Sequence, residues 1–245
     1  MGTSALITGA SRGIGLGIAT RLAEQGYGLT ISARDPERLE AVAHNLRAAG
    51  AKEVVAAAGD LADPAAVEQL VHAHADRFDT LNALVLNAGF GYSGTIDAYP
   101  MRRFDTTIDV NLRAPLTLLQ RTLPLLRSAA ATDPARGSKV VALASITGVY
   151  AEAGLAVYGA TKAALISLIE TLNAEESAHG VTATAIAPAF VDTDMATWIH
   201  DQIPPETMIQ VGDIVELVDA LLRLSPRAVV PNIVVGRAGT SSYHA

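Results

Sequence analysis

The stretch Ser4-Ala5-Leu6-Ile7-Thr8-Gly9-Ala10-Ser11-Arg12-Gly13-Ile14-Gly15 decides the fold. Its first five residues make an apolar run of strand length, and the glycines follow where a helix should begin. Glycine there permits a tight turn and lets the backbone approach a pyrophosphate resting on helix N–H groups. The spacing is Gly-x-x-x-Gly-x-Gly, not the Gly-x-Gly-x-x-Gly of the usual dinucleotide fingerprint. Taken alone, such a stretch can be no more than a turn; its place at the end of the first strand points to a nucleotide.

Outward from that loop, short apolar runs alternate with amphipathic stretches. Strands are expected at Ser4–Thr8, Gly28–Ser32, Glu53–Ala58, Ala83–Leu86, Lys139–Ala144, Val181–Ala187 and Asn232–Val235. Helical spacing falls at roughly 14–25, 36–49, 64–77, 101–127, 155–178 and 212–223. Strands rich in Val, Ile, Leu and Ala without strict polar alternation suit a parallel sheet covered on both faces. Crossovers of helical length then give an α/β, Rossmann-type doubly wound sheet of about seven strands. Asp35-Pro36 and Asp63-Pro64 read as helix N-caps followed by Pro at the first helical position. Gly50 and Gly180 stand where helices should end. No linker, charge block or repeat divides the chain, so one domain spanning residues 1–245 is expected.

Composition narrows the function classes. Of 245 residues, 50% are hydrophobic and 18% charged, which excludes a disordered chain. There is no cysteine, so disulfides, thiolate metal sites and cysteine nucleophiles are impossible. A formal net charge of −7 argues against a nucleic-acid or anionic-membrane surface. No apolar run approaches the ~20 residues of a membrane span, and the N-terminus carries neither a secretion signal nor a myristoylation pattern. A cytoplasmic location is the expectation. His72 and His74 face different ways on a helix, while His44, His179, His200 and His244 are scattered and assigned to the surface. No metal site is expected, and Gly-x-Ser-x-Gly, which a nucleophile elbow would need, does not occur.

The end of the second strand bears on which nucleotide is bound. An acid there would hold the ribose 2′-hydroxyl of NAD. Here Ile31-Ser32-Ala33 runs into Arg34, and Arg12 lies in the glycine loop. Two guanidiniums converging on one point suit a 2′-phosphate, so NADP is favoured over NAD. Asp35 is the competing candidate, but its N-cap role accounts for it.

The chemistry is carried by Tyr158-Gly159-Ala160-Thr161-Lys162, which sets a phenol and an ammonium at i and i+4 on one helix face. A nearby positive charge should lower the tyrosine pKa from ~10 and make Tyr158 a usable general acid–base. Ser145 and Asn87-Ala88-Gly89 end neighbouring strands at the carboxyl edge, where open α/β sheets bind ligands. Asn111 sits inside a helix, uncomfortable for Asn unless its side chain has work to do. Pro115, four residues on, has no N–H, so the Asn111 carbonyl loses its helical partner, is free to hold a water, and the helix should kink.

These pieces, in this order, resemble the classical short-chain dehydrogenase/reductase family over nearly the whole chain. The matching elements are Thr8-Gly9-x3-Gly13-Ile14-Gly15, Asp60-Leu61, Asn87-Ala88-Gly89, Asn111, Ser145 and Tyr158-x3-Lys162. The resemblance implies that Tyr158 is the proton donor, that Ser145 bonds the substrate oxygen, and that Lys162 holds the nicotinamide ribose. It makes the Asn111 position the anchor of a relay water. It places Asp60 and Leu61 beside the adenine, Asn87, Ala88 and Gly89 in the cofactor ribose region, and Thr193 at the carboxamide. Gly9, Ser11, Arg12, Gly13, Ile14, Gly15, Arg34, Pro188 and Val191 complete the expected cofactor set. Two departures stand out. Pro188-Ala189 replaces the family's Pro-Gly, and Val234-Val235-Gly236-Arg237-Ala238-Gly239 replaces its Asp-Gly-Gly, which bears on subunit contacts.

The segment after strand six, about 189–211, is expected to be a substrate lid and is largely apolar around Trp198. With Tyr150, Ser145 and Tyr158, Trp198 forms the expected substrate set. The reading is an NADP(H)-dependent enzyme interconverting a carbonyl and a secondary alcohol, with a small-molecule substrate and a homodimeric or homotetrameric assembly. The alternatives are a 3-oxoacyl carrier-protein reductase, a catalytically silent NADP(H)-binding sensor, and a nucleotide-sugar epimerase, for which the chain is short.

Overall fold

A computed structural model describes residues 2–240; His244 lies outside them. The central sheet is all parallel, with strands β1 Ser4–Thr8, β2 Gly28–Ala33, β3 Glu53–Ala58, β4 Ala83–Leu86, β5 Ser138–Leu143, β6 Val181–Pro188 and β7 Asn232–Val235. Their spatial order is β3-β2-β1-β4-β5-β6-β7. Helices α1 Gly13–Glu24, α2 Pro36–Ala48, α3 Pro64–Ala75, α4 Met101–Ile108, α5 Ala114–Thr132, α6 Ala156–Glu176 and α7 Val211–Arg223 flank it. The order reverses between β1 and β4, so their carboxyl ends open a crevice where an α/β sheet takes its ligand.

Strand residues alternate between two apolar layers, as the pleat requires. Ala5, Ile7, Val85 and Ile31 point to the side of α1, α2 and α7, where Ile18, Leu22, Leu39 and Ile214 meet them. Leu6, Leu84 and Leu86 point the other way, into Leu70, Leu118 and Ile169 of α3, α5 and α6. Each fully buried Leu or Ile contributes about 1.5–3 kcal/mol of transfer free energy. This two-sided burial is why the strand sequences lack alternation.

The local punctuation reads as expected. Asp35 Oδ1 accepts from the amides of Glu37 and Arg38, and Asp63 Oδ1 from Ala65. One expected element divides. The helix anticipated over 101–127 is α4, then a π-turn at Asp109–Arg113, then α5. The amide of Ala114 reaches back five residues to the Asp109 carbonyl. Pro115 removes the i+4 donor for Asn111, and the chain absorbs this by widening one turn. Ala189, in the family's glycine position, sits without strain: no non-glycine residue among those described has a positive φ, and its amide donates to the Val235 carbonyl at 2.8 Å.

His74 is fully buried under β2. Its Nε2 lies 3.2 Å from the Thr80 carbonyl, which can only accept, so Nδ1 accepts from the Thr30 hydroxyl at 2.8 Å. Burial pushes its pKa down to about 4, against a smaller upward pull from the Thr80 carbonyl. The unfolded chain therefore takes up this proton first as pH falls. Stability is fully present above about pH 6.5 and is lost towards pH 4, by up to roughly 3 kcal/mol. Urea midpoints compared across that window should fall less for His74→Gln than for the wild type; equal losses would remove His74 as the source.

Candidate active site

The crevice is closed at its base by side chains. The Thr8 hydroxyl accepts from the amides of Asn87 and Ala88, both at 3.0 Å, and donates to the Val85 carbonyl. The Asn87 amide group donates to the carbonyls of Thr8 and Gly9 at 2.9 and 3.0 Å. Asn87 thus straps the glycine loop to the end of β4. A Cβ on Gly15 would lie 2.4 Å from both Asn87 Nδ2 and the Gly9 oxygen, so only glycine fits. Gly13 is overhung by Thr193, whose Cγ2 would stand 3.3 Å from an added Cβ.

The two expected 2′-phosphate arginines have different surroundings. Arg34 is exposed at the end of β2, with no carboxylate within 4.0 Å among the described residues. Arg12 instead pairs with Asp194, Nη1 to Oδ2 at 3.1 Å, and so faces the segment after β6. The physical reason is proximity. Thr193 and Asp194 fold over the glycine loop and offer Arg12 a carboxylate. Asp60 is exposed and caps its own turn through the Ala62 amide, while Leu61 packs on the apolar layer beneath.

Ser145, two residues beyond β5, begins the 3-10 turn Ile146–Gly148. Its Oγ accepts from the Thr147 amide at 3.3 Å and the Thr147 hydroxyl at 3.0 Å. That leaves the Ser145 proton for the Tyr158 oxygen, and the serine hydroxyl pulls the phenol's pKa downward. Turn and helix touch backbone to backbone. A Cβ on Gly148 would lie 2.7 Å from the Lys162 carbonyl carbon, and one on Gly159 would lie 2.7 Å from the Thr147 oxygen. Two glycines therefore allow the approach that brings Ser145 to Tyr158.

Lys162 is buried and donates to the Leu143 carbonyl at 2.7 Å. Its Nζ stands 5.6 Å from the Tyr158 ring centroid, over the face of the ring. Burial pushes the lysine down to about 8. Burial also pushes Tyr158 up to about 12, against the Ser145 hydrogen bond. This corrects the expectation from sequence, where the i+4 charge should lower the phenol. The ammonium stands over the ring face, and desolvation of the phenolate dominates the shift.

Asn111 is buried, and its side chain is committed. It donates to the Phe90 carbonyl and the Thr161 hydroxyl and accepts from the Phe90 amide at 2.8 Å. The loop after β4 is thereby clamped to the π-turn and to α6. Thr147 and Thr161, which position Ser145 and Asn111, escaped the sequence reading; a threonine beside each motif residue was the available signal. Gly89 lies against Lys162, with Nζ 3.5 Å from an added Cβ, so Asn87-Ala88-Gly89 and Tyr158-x3-Lys162 do meet.

The anticipated substrate residues divide. Tyr150 is half-buried against the layer under α1 and α7. Trp198 is 55% exposed and edge-on to Phe190, with centroids 6.0 Å apart. The segment 189–211 has a base, the bridge between Val191 and Ile209, and a small core of Ala196, Ile199 and Met208. His200, expected at the surface, is partly buried there, because the turn folds it inward. Pro188 and Val191 lie at the end of β6, beside that base.

The family model for the short chain dehydrogenases matches residues 3–204. A 3-oxoacyl-[acyl-carrier-protein] reductase of Staphylococcus aureus is 33% identical over 213 residues, 86% of this chain and 83% of the relative. A short chain dehydrogenase from Burkholderia cenocepacia in complex with NADP superposes with a TM-score of 0.84 at 31% identity, covering 96% of each chain. A 3-ketoacyl-(acyl-carrier-protein) reductase from Brucella melitensis complexed with NADH gives 0.85 at 26% identity, covering 97% of this chain and 98% of that one.

Proposed function

The chain belongs to the short-chain dehydrogenase family, and within it we propose an NADP(H)-dependent enzyme that interconverts a carbonyl and a secondary alcohol. The observation that carries this reading is the meeting of Ser145, Tyr158 and Lys162 beside the glycine loop. No helix among the described residues is long and apolar enough to cross a membrane.

A dinucleotide fits the residues present. The first amides of α1 have no side-chain cap, unlike those of α2 and α3, so they are available to a phosphate. The backbone at Gly9, Gly13 and Gly15 keeps the cradle clear of any Cβ. Ser11, Arg12 and Ile14 would line the pyrophosphate, Asp60 and Leu61 the adenine, Asn87, Ala88 and Gly89 the ribose, and Pro188, Val191 and Thr193 the nicotinamide end. Bound there, NADPH supplies the hydride. Tyr158 gives its proton to the carbonyl oxygen, and Ser145 donates a hydrogen bond to the charge developing on that oxygen. Lys162 holds the ribose hydroxyls, and the Asn111 carbonyl, without an i+4 donor, holds the relay water. The segment 189–211 is the lid, hinged at its paired base.

Burial favours the protonated phenol, which is the form reduction consumes. Reduction should therefore hold level from about pH 6 to about pH 8, whereas alcohol oxidation, which needs the phenolate, should rise with pH over that range. Tyr158→Phe should keep NADPH affinity and lose at least about a hundredfold in turnover of a ketone and aldehyde panel. Retained turnover would sink the assignment, and tight cofactor binding without wild-type turnover of any carbonyl would favour a silent sensor.

NADP is favoured by Arg34, exposed and without a carboxylate partner, while Asp35 is committed to its cap. Arg34→Gln should lower the NADPH-over-NADH ratio of kcat/KM by about tenfold. An unchanged ratio would leave the preference to other residues.

An assembly of identical copies is supported by the apolar faces of α4 and α6. Met101, Phe104, Ile108, Leu112, Val157 and Ala160 line an open groove of about 400 Å³, and Met101 is 65% exposed. These faces pair across a two-fold axis in the proposed dimer or tetramer. Sedimentation at micromolar concentration should show more than one copy, and a monomer would overturn this.

The name of the Staphylococcus relative supports a second reading, reduction of 3-oxoacyl groups on a carrier protein.

A further inference from the structure

The loop after β4 carries a cation that the chemistry above does not use. Phe90 is pinned by both polar ends of the Asn111 amide, and the amide of Gly94 donates to the Gly154 carbonyl at 2.8 Å. The loop is therefore held at both ends. Between them, Gly91 lies against Tyr158, whose ring carbons would stand 3.6 and 3.7 Å from an added Cβ. Arg103, in the first turn of α4, lays its guanidinium carbon 5.6 Å from the Phe90 ring centroid and 5.4 Å from that of Tyr92. Tyr92 is braced in turn, edge-on to Tyr99.

Two features separate Arg103 from an ordinary surface cation. Among the described residues Arg103 has no carboxylate within 4.0 Å, a property it shares with Arg34 and Arg102, and it combines this with two aromatic rings, whereas Arg77, which also stands over a ring, is paired with Glu53. Asp97 and Asp105, on the same stretch of chain, do not pair with it either. It is also seated: a guanidinium over aromatic rings spends its flat face on them and keeps its edge N–H donors free. Such an edge matches the two oxygens of a carboxylate or phosphate. Arg103 also belongs to a different face of α4 from Met101, Phe104 and Ile108, which line the apolar groove. Lys162, the buried cation beside Tyr158, already donates to the Leu143 carbonyl. In a chain of net charge −7, a fixed and unpaired positive edge at the rim is a local selector for anions.

We propose that Arg103 is a specificity-determining residue, which binds an oxyanion carried by the substrate while the carbonyl lies at Tyr158. The oxyanion is a carboxylate of an oxo acid or a phosphate of a pantetheine-type thioester; the chemistry of recognition is the same. This rests on the carbonyl-reductase reading and adds the substrate's charge to it.

The test uses matched pairs with NADPH: an oxo acid against its methyl ester, and a 3-oxoacyl coenzyme A thioester against its N-acetylcysteamine thioester. The wild type should prefer the anionic member of one pair by about tenfold or more in kcat/KM, and the responding pair identifies the source of the oxyanion. In Arg103→Gln the preference should collapse through KM, with kcat and the neutral member's kinetics retained. Arg103→Lys should restore part of it. Arg102→Gln, which removes the neighbouring charge without touching the aromatic seat, should keep it. A wild type without preference, a preference that survives Arg103→Gln, or one that Arg102→Gln erases equally overturns the assignment. Turnover of neutral carbonyls alone overturns Arg103 and leaves the reductase reading standing. Absence of turnover with every carbonyl overturns both.

Discussion

Everything at the carboxyl edge depends on the fastening of β1 to β4. The strands reverse order there, which opens the crevice, but an open crevice does not by itself hold a loop in place. Thr8 and Asn87 supply the fixing. One hydroxyl takes two amides from the β4 end, and one carboxamide takes two carbonyls from the β1 end. Removing either partner would leave part-buried polar groups without their bonds, each worth about 0.5–1.5 kcal/mol. Gly15 belongs to the same constraint, since the space its missing side chain leaves is occupied by Asn87. The glycine loop is therefore set by contacts nearly eighty residues apart in sequence.

A second constraint is the backbone contact between the turn 146–148 and α6. Gly148 and Gly159 let carbonyl and helix approach to distances no Cβ would tolerate. The approach brings Ser145 towards Tyr158. Burial explains the directions of the two pKa shifts: it penalises the phenolate and the ammonium alike. The same burial keeps the Tyr158 phenol in its protonated form.

Much of this was readable before any coordinates. The strands fall within a residue or so of their expected positions, because strands buried on both faces leave uninterrupted apolar runs such as Ala83–Leu86. Asp35 and Asp63 announce helix starts through local chemistry. What escaped was tertiary. The apolar period runs on through 109–113, so nothing local distinguishes a π-turn from a helix; only Pro115 hinted at it. The Tyr158–Lys162 spacing shows a charge nearby but not the burial that opposes it. Arg12 pairs with Asp194, 182 positions away, a contact that no local pattern announces.

The Arg12–Asp194 pair also shows how the segment 189–211 meets the glycine loop. Both side chains are at least half exposed, and ion pairs of that kind contribute about 0–1 kcal/mol. The pair therefore bears on where the segment rests rather than on how firmly it folds. Folding comes from within: Ala196, Ile199 and Met208 form a core that shares no member with either main layer, and the Val191–Ile209 bridge ties the base. The segment's base is continuous with the sheet's own packing, because Val191 and Ile209 belong to the layer under α1 and α7. Arg12 and the contact of Thr193 with Gly13 then join the segment to the glycine loop.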